Sequence, residues 1–124
     1  MGGGYPYSAA EGILAEYQAG EMMREKGYTV IARNVNYPGV GELDLVCLKD
    51  GLLVIVEVKY RSGDVAGDPI EAVTPSKIKK LCRAAEKFIE ENSFYDYDVR
   101  FDVVSFKDGV PEHIEDAFYG VWGV

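Results

Sequence analysis

The chain has 124 residues, 48% of them hydrophobic and 27% charged, which fits one folded domain over 1–124 and excludes a disordered chain. No apolar run approaches the roughly 18 residues of a membrane span, and the N-terminus lacks the basic-then-apolar pattern of a signal peptide, so a cytoplasmic protein without membrane contact is expected. The net charge of −8 argues against indiscriminate polyanion binding, although residues 77–87 alone carry +4 and leave −12 to the rest.

Residues 1–7, opening on Met1-Gly2-Gly3-Gly4, read as a flexible lead-in. Ser8-Ala9-Ala10-Glu11 has the spacing of a capping box and Gly27 suits the position after a helix end, so a helix over 8–26 is predicted. At 100° per residue Glu16 lies within about 60° of Gly12, Ile13, Ala19, Gly20 and Met23, whereas Glu11, Glu21 and Glu25 lie about 140–180° away. Glu16 is thus the one acid on a small and apolar face. Leu14 falls on the acidic side. Tyr28 to Val35 reads as a first strand and Tyr37-Pro38-Gly39 as a turn. Strands over 41–48 and 52–60 flank Asp50-Gly51, a strong hairpin signal. Residues 61–71 read as a loop. Thr74 and Pro75 supply an N-cap and a first-turn proline, and Ile78, Leu81, Cys82, Ala85, Phe88 and Ile89 recur with helical period, predicting a helix over 75–92. Val99 to Phe106 reads as a further strand, followed by a tail with one short helical or extended piece, EHIEDAF. Cys47 and Cys82 sit in apolar patterns without metal-ligand spacing and read as buried thiols. Helix–strand–strand–strand–helix–strand implies an α/β or α+β sheet with helices packed on it.

A two-residue Asp50-Gly51 turn sets Lys49 against Leu52, which puts Asp44 opposite Glu57 and Glu42 opposite Lys59, all on one face. Two carboxylates about 4.5–5.5 Å apart at Cβ repel. A divalent cation such as Mg²⁺ is the simplest offset, because hard cations take carboxylate oxygens plus waters. The competing reading is a solvated face with an ordinary Glu42–Lys59 pair. It fits Asp44 and Glu57 less well, since the strand before Glu57 is apolar on both faces and reads as a central one.

Gly41-Glu42-Leu43-Asp44-Leu45, a hairpin, then Val56-Glu57-Val58-Lys59-Tyr60-Arg61 resembles the PD-(D/E)XK nuclease signature. Over roughly residues 13–119 the chain resembles the YraN family, which is similar to Holliday junction resolvases. The resemblance takes in Ala15-Glu16, Ala19, Lys26-Gly27-Tyr28, Ala32-Arg33-Asn34, Lys77, Arg100-Phe101-Asp102-Val103-Val104, and His113-Ile114 with Ala117-Phe118. It implies a restriction-endonuclease-like α/β fold, with a mixed central sheet flanked by helices. It further implies Mg²⁺- or Mn²⁺-dependent endonucleolytic cleavage of DNA, including branched DNA. Asp44 and Glu57 would hold the metal, with Glu16 joining through water or a second ion. Lys59 would orient the attacking water, Glu42 would stand in the outer shell, and Arg61 would contact phosphate. Ser76 and Lys77, in the first turn of the second helix, are further phosphate contacts. Lys77 there opposes the helix dipole, a local penalty that a bound anion would offset. Lys79, Lys80, Arg83 and Lys87 read as an ordinary solvated face, and His113, the only histidine, as structural. Two rivals stay open. One is a non-catalytic nucleic-acid-binding or adaptor module that kept the fold. The other is a protein whose substrate surface is completed by a partner chain or by a homodimer.

Overall fold

In the computed structural model, which describes residues 9–61 and 73–122, the chain runs α1 (Ala9–Glu25), β1 (Thr29–Tyr37), β2 (Gly41–Lys49), β3 (Leu52–Arg61), α2 (Pro75–Asn92), β4 (Asp98–Lys107) and β5 (Val110–Ile114). The predicted elements recur with ends shifted by a residue or two. Ser8, its capping box, the lead-in and most of the 61–71 loop lie outside the described residues.

The strands form one sheet in the order β1-β2-β3-β4-β5. β3 and β4 run parallel, joined through α2, and the other neighbours are antiparallel. This is an α/β fold with a mixed five-stranded sheet. The β2–β3 turn is as short as predicted. Asp50 and Gly51 both take positive φ, 48° and 77°, the twist that lets a two-residue loop match its flanking strands. Asp108 and Gly109 repeat the device, with φ of 52° and 80°, and turn β4 into β5. The tail expected to hold one helical or extended piece at EHIEDAF is therefore a hairpin strand that starts earlier, at Val110. The sheet edge accepts Pro111, which lacks a ladder donor.

The helices end where their sequences stop them. The Tyr28 N–H reaches the Met23 carbonyl at 3.0 Å and the Gly27 N–H the Arg24 carbonyl at 2.9 Å, the paired bonds of a Schellman motif, with Gly27 at φ 92°. Thr74 caps α2, its Oγ1 accepting from the Lys77 N–H at 3.3 Å. α2 covers one sheet face with Leu81, Cys82, Ala85 and Phe88 against Leu53, Ile55, Phe101 and Val103. α1 covers the other with Ala15, Ala19 and Met23 against Leu45, Val54, Val56 and Val104. Spacing at i, i+4 and i+8, with alanine at the first two positions, makes that stripe narrow. Ile13 lies about 120° around from Ala19 and is 69% exposed, so it does not share the buried face expected of it. Both cysteines are free and buried, and burial pushes the Cys47 thiol up to about 11.

One charge is sealed into the α1 side. Asp102, fully buried, accepts from Arg100 Nε at 2.8 Å, from Arg100 Nη2 at 2.7 Å and from the Asp116 N–H at 3.0 Å. His113 Nε2 lies 2.7 Å from the same carboxylate, and Lys26 Nζ lies 2.7 Å from Nδ1. Lysine only donates, so Nδ1 accepts and Nε2–H donates to Asp102. His113 thus ties β5 and the end of α1 to β4, the structural role expected of it.

Burial alone would raise the Asp102 carboxyl, but the bonds from His113, Arg100 and Asp116 outweigh it and hold it below 3.8. A depressed carboxyl contributes stability above its unfolded value, lost as pH falls through the folded one. Asp102→Ala should cost about 3 kcal/mol or more at neutral pH, because it strands Arg100 and His113. In urea unfolding the variant should also lose part of the acid-side dependence of stability. A loss under 1 kcal/mol would contradict the network's role.

Candidate active site

β2 and β3 stay paired from Lys49↔Leu52 to Leu45↔Val56. Beyond that point the strands part. The next backbone bond is replaced by a side chain, with Asp44 Oδ2 accepting from the Val58 N–H at 2.8 Å. Asp44 and Glu57, and Glu42 and Lys59, therefore lie past the end of the ladder rather than as the directly paired residues that the turn arithmetic gave. The strands still deliver them to one place. A cleft of about 490 Å³ is lined by Glu16, Gly41, Glu42, Asp44, Glu57, Val58, Lys59, Lys77, Lys80 and Leu81. Of the sequence-derived candidates, Glu16, Glu42, Asp44, Glu57, Lys59 and Lys77 meet there. Arg61 instead lines a separate pocket with Ser105 and Lys107. Ser76 is exposed on the first turn of α2 and is not among the lining residues.

Close backbone approach builds the cleft. A Cβ on Gly41 would stand 2.8 Å from the Lys80 carbonyl oxygen, so only glycine lets β2 begin this near to α2. Across the cleft Gly20 makes room for the Arg33 guanidinium, since a Cβ there would lie 2.7 Å from Nη1. The same guanidinium donates to the Glu16 carbonyl at 3.3 Å and lies 5.7 Å from the centre of the Tyr17 ring. Arg33 thereby fixes α1 against β1 at Glu16 itself. Asn34 follows in the left-handed region, with φ 49°, and its side chain hydrogen-bonds Glu16. The sequence carried a signal for Asn34, an asparagine inside a strand-like run, which suits a positive φ better than a ladder position.

The electrostatics follow from packing four acids around one cleft. Burial pushes the Glu57 carboxyl up to about 9, helped by its hydrogen bond to Asp44 and by that group's charge, with Lys59 and Lys77 opposing. A hydrogen bond between two carboxyl groups requires a proton, so the metal-free pair holds one. Glu16 is raised too, by burial first and then by the Asp44 charge, while the Asn34 bond lowers it. Chemically, Asp44 and Glu57 offer adjacent hard oxygen donors. That fits Mg²⁺, which is bound through one or two carboxylates with waters and substrate phosphate filling the remaining positions. Among the described residues no group of three histidine, cysteine or acidic side chains is close enough to hold an ion by itself.

The model of the uncharacterised protein family UPF0102 matches residues 15–106. A UPF0102 protein of Syntrophomonas wolfei is 42% identical over 111 residues, covering 86% of this chain and 96% of that one. One of Natranaerobius thermophilus is 37% identical over 115 residues, with coverages of 88% and 97%. One of Flavobacterium psychrophilum is 36% identical over 112 residues, with coverages of 87% and 92%.

Two titrations check this geometry. A carboxyl raised in the fold stabilises it while protonated, so metal-free stability should fall as pH rises from about 4.5 through about 9. Glu57→Gln should flatten that slope, and an unchanged slope in the variant would remove the shared proton. Asn34→Gly keeps an allowed positive φ and removes the bond to Glu16, so NMR titration should find the Glu16 carboxyl higher than in wild type. A lower or equal value would show that Asn34 does not hold it.

Proposed function

The chain belongs to the uncharacterised protein family UPF0102, which is the YraN family, and from that premise and the acidic cleft we propose that it is a metal-dependent endonuclease hydrolysing phosphodiester bonds of DNA. The likeness to junction resolvases extends the proposal to branched DNA, on a fold of the restriction-endonuclease type. One observation carries the reading: Asp44 and Glu57 are brought into contact at the mouth of diverging strands, with Lys59 in the same cleft. A fold gains nothing structural from holding two acids together there, and local rules are broken at functional sites.

Asp44 and Glu57 would hold Mg²⁺ or Mn²⁺, and Glu16, kept in place by Asn34, would join through water. The ion, when bound, supplies charge neutralisation at the phosphate and lowers the pKa of a water. The chain's own groups do the rest. The Val58 N–H fixes the Asp44 carboxylate so that its orientation costs nothing at the moment of reaction. Lys59 directs an ammonium toward the phosphate oxygens or the attacking water. Lys77 and Lys80 form the cationic wall of the cleft and seat the scissile phosphate against the acids. Glu42 lines the same cleft as Lys59 and would stand in the outer shell of the ion.

A second reading, a nucleic-acid-binding or adaptor module without catalysis, is favoured by the lack of a compact three-ligand cluster among the described residues. Cleavage assays decide between the two. Wild type, with Mg²⁺ or Mn²⁺, is expected to cut at least one of duplex, single-stranded and four-way-junction DNA. Asp44→Asn should lose detectable cleavage and keep DNA binding. Lys59→Ala should bind as wild type and cut about 100-fold more slowly or worse. Equal cleavage by wild type and Asp44→Asn would point to contaminating nuclease and leave the adaptor reading in place.

A further inference from the structure

α2 is charged against its own dipole. Its first turn carries no acid and its last turn no base, the reverse of what stabilises a helix. Lys77, Lys79, Lys80 and Arg83 come before the first acid, Glu86, and Lys87 follows it. The stretch 77–87 thus holds +4 in a protein of −8. The charges are also ordered in space. Ser76, Lys80, Arg83 and Lys87 stand at i, i+4, i+7 and i+11, within an arc of about 60° on the helix surface, and all four are exposed. The stripe is continuous with the cleft, because Lys80 lines it beside Asp44 and Glu57. Glu90 and Glu91 come only after the stripe ends, and Glu91 is engaged by the Tyr37 hydroxyl at 2.9 Å.

We propose that this stripe of α2 carries the sugar–phosphate backbone of a DNA strand leading away from the cleft, an assignment that rests on the DNA reading above. Charge complementarity selects the occupant. Lys80 to Lys87 span about 10 Å along the helix, the length of roughly three nucleotides of one strand at ~3.4 Å each. Contacts of this kind fix register and add affinity without reading sequence. The cost of placing cations along the N-terminal half of α2 is then offset by the polyanion they bind. It also explains how a protein of net charge −8 engages DNA: the acids elsewhere confine the strand to one track.

The test uses fluorescence anisotropy of a labelled DNA duplex in EDTA, where no cleavage occurs, across a salt series. The triple variant Lys80→Ala/Arg83→Ala/Lys87→Ala should bind at least about tenfold more weakly at 0.1 M salt. The slope of log K against log salt should become shallower by about 2–3 units. Lys79→Ala, one residue off the stripe, should change the slope by less than one unit. Circular dichroism checks that α2 stays helical, and the single variants provide the same reading with milder changes. An unchanged slope in the triple variant overturns the proposal. If Asp44→Asn still abolishes cleavage in that case, the nuclease reading survives on its own. A wild type that binds no DNA overturns both. A salt-sensitive dimer lost in the triple variant, with DNA binding intact, would assign the stripe to a second copy of the chain and overturn it as well.

Discussion

The contact between Asp44 and Glu57 is the constraint on which the rest of the site depends. Two carboxylates in one cleft are tolerated only with a proton or a cation between them. The fold pushes them together by splitting β2 from β3 at the point where Asp44 captures the Val58 N–H. That single bond ends the ladder, opens the cleft and aims one carboxylate. The neighbours then follow from it. Lys59 and Lys77 favour the charged form of Glu57 against burial, and Glu16 feels Asp44 from across the cleft.

Around that pair lie two close approaches and one left-handed residue. Gly41 and Gly20 are positions where backbone or guanidinium comes closer than a Cβ allows, and Asn34 sits in the left-handed region beside Glu16. Away from the cleft the helix ends and the buried charge follow the usual rules. α1 ends in a Schellman motif, α2 starts on a threonine cap and a proline, and Asp102 is buried with four hydrogen bonds from three residues. No helix among the described residues is long and apolar enough to cross a membrane. The polar network at Asp102 holds β5 and the end of α1 in place and so secures the frame that carries Glu16.

Local signals were legible in the sequence, and long-range ones were less so. Asp50-Gly51 specified its hairpin because two successive positive φ angles leave few residue choices. The same dipeptide at 108–109 is a weaker signal, because Pro111 and an exposed, short strand look unlike a sheet element, although an edge strand has those properties. Turn arithmetic gave the right neighbours but assumed an unbroken ladder, and a side chain bonding to backbone ends one without any change of period. The acidic residues were findable by spacing. Arg33 was visible only as part of a family likeness, and Asn34 also as an asparagine inside a strand-like run, but their roles depend on α1 crossing β1. Lys80 has the pattern of solvated surface, and only the packing of α2 on Gly41 brings it into the cleft. Asp102 left a trace, an acid in phase with Val104 and Phe106, but of its partners only Arg100 shares its strand, while His113 and Asp116 come from β5 and the turn after it.

The central claim is that the Asp44–Glu57 pair holds a proton that a cation replaces. The most direct measurement is calorimetric titration of Mg²⁺ or Mn²⁺ into the metal-free protein near pH 7, repeated in buffers of different ionisation enthalpy. Binding should release about one proton per ion in wild type and none in Glu57→Gln. Binding without proton release in wild type, or no binding at millimolar ion, would contradict the account.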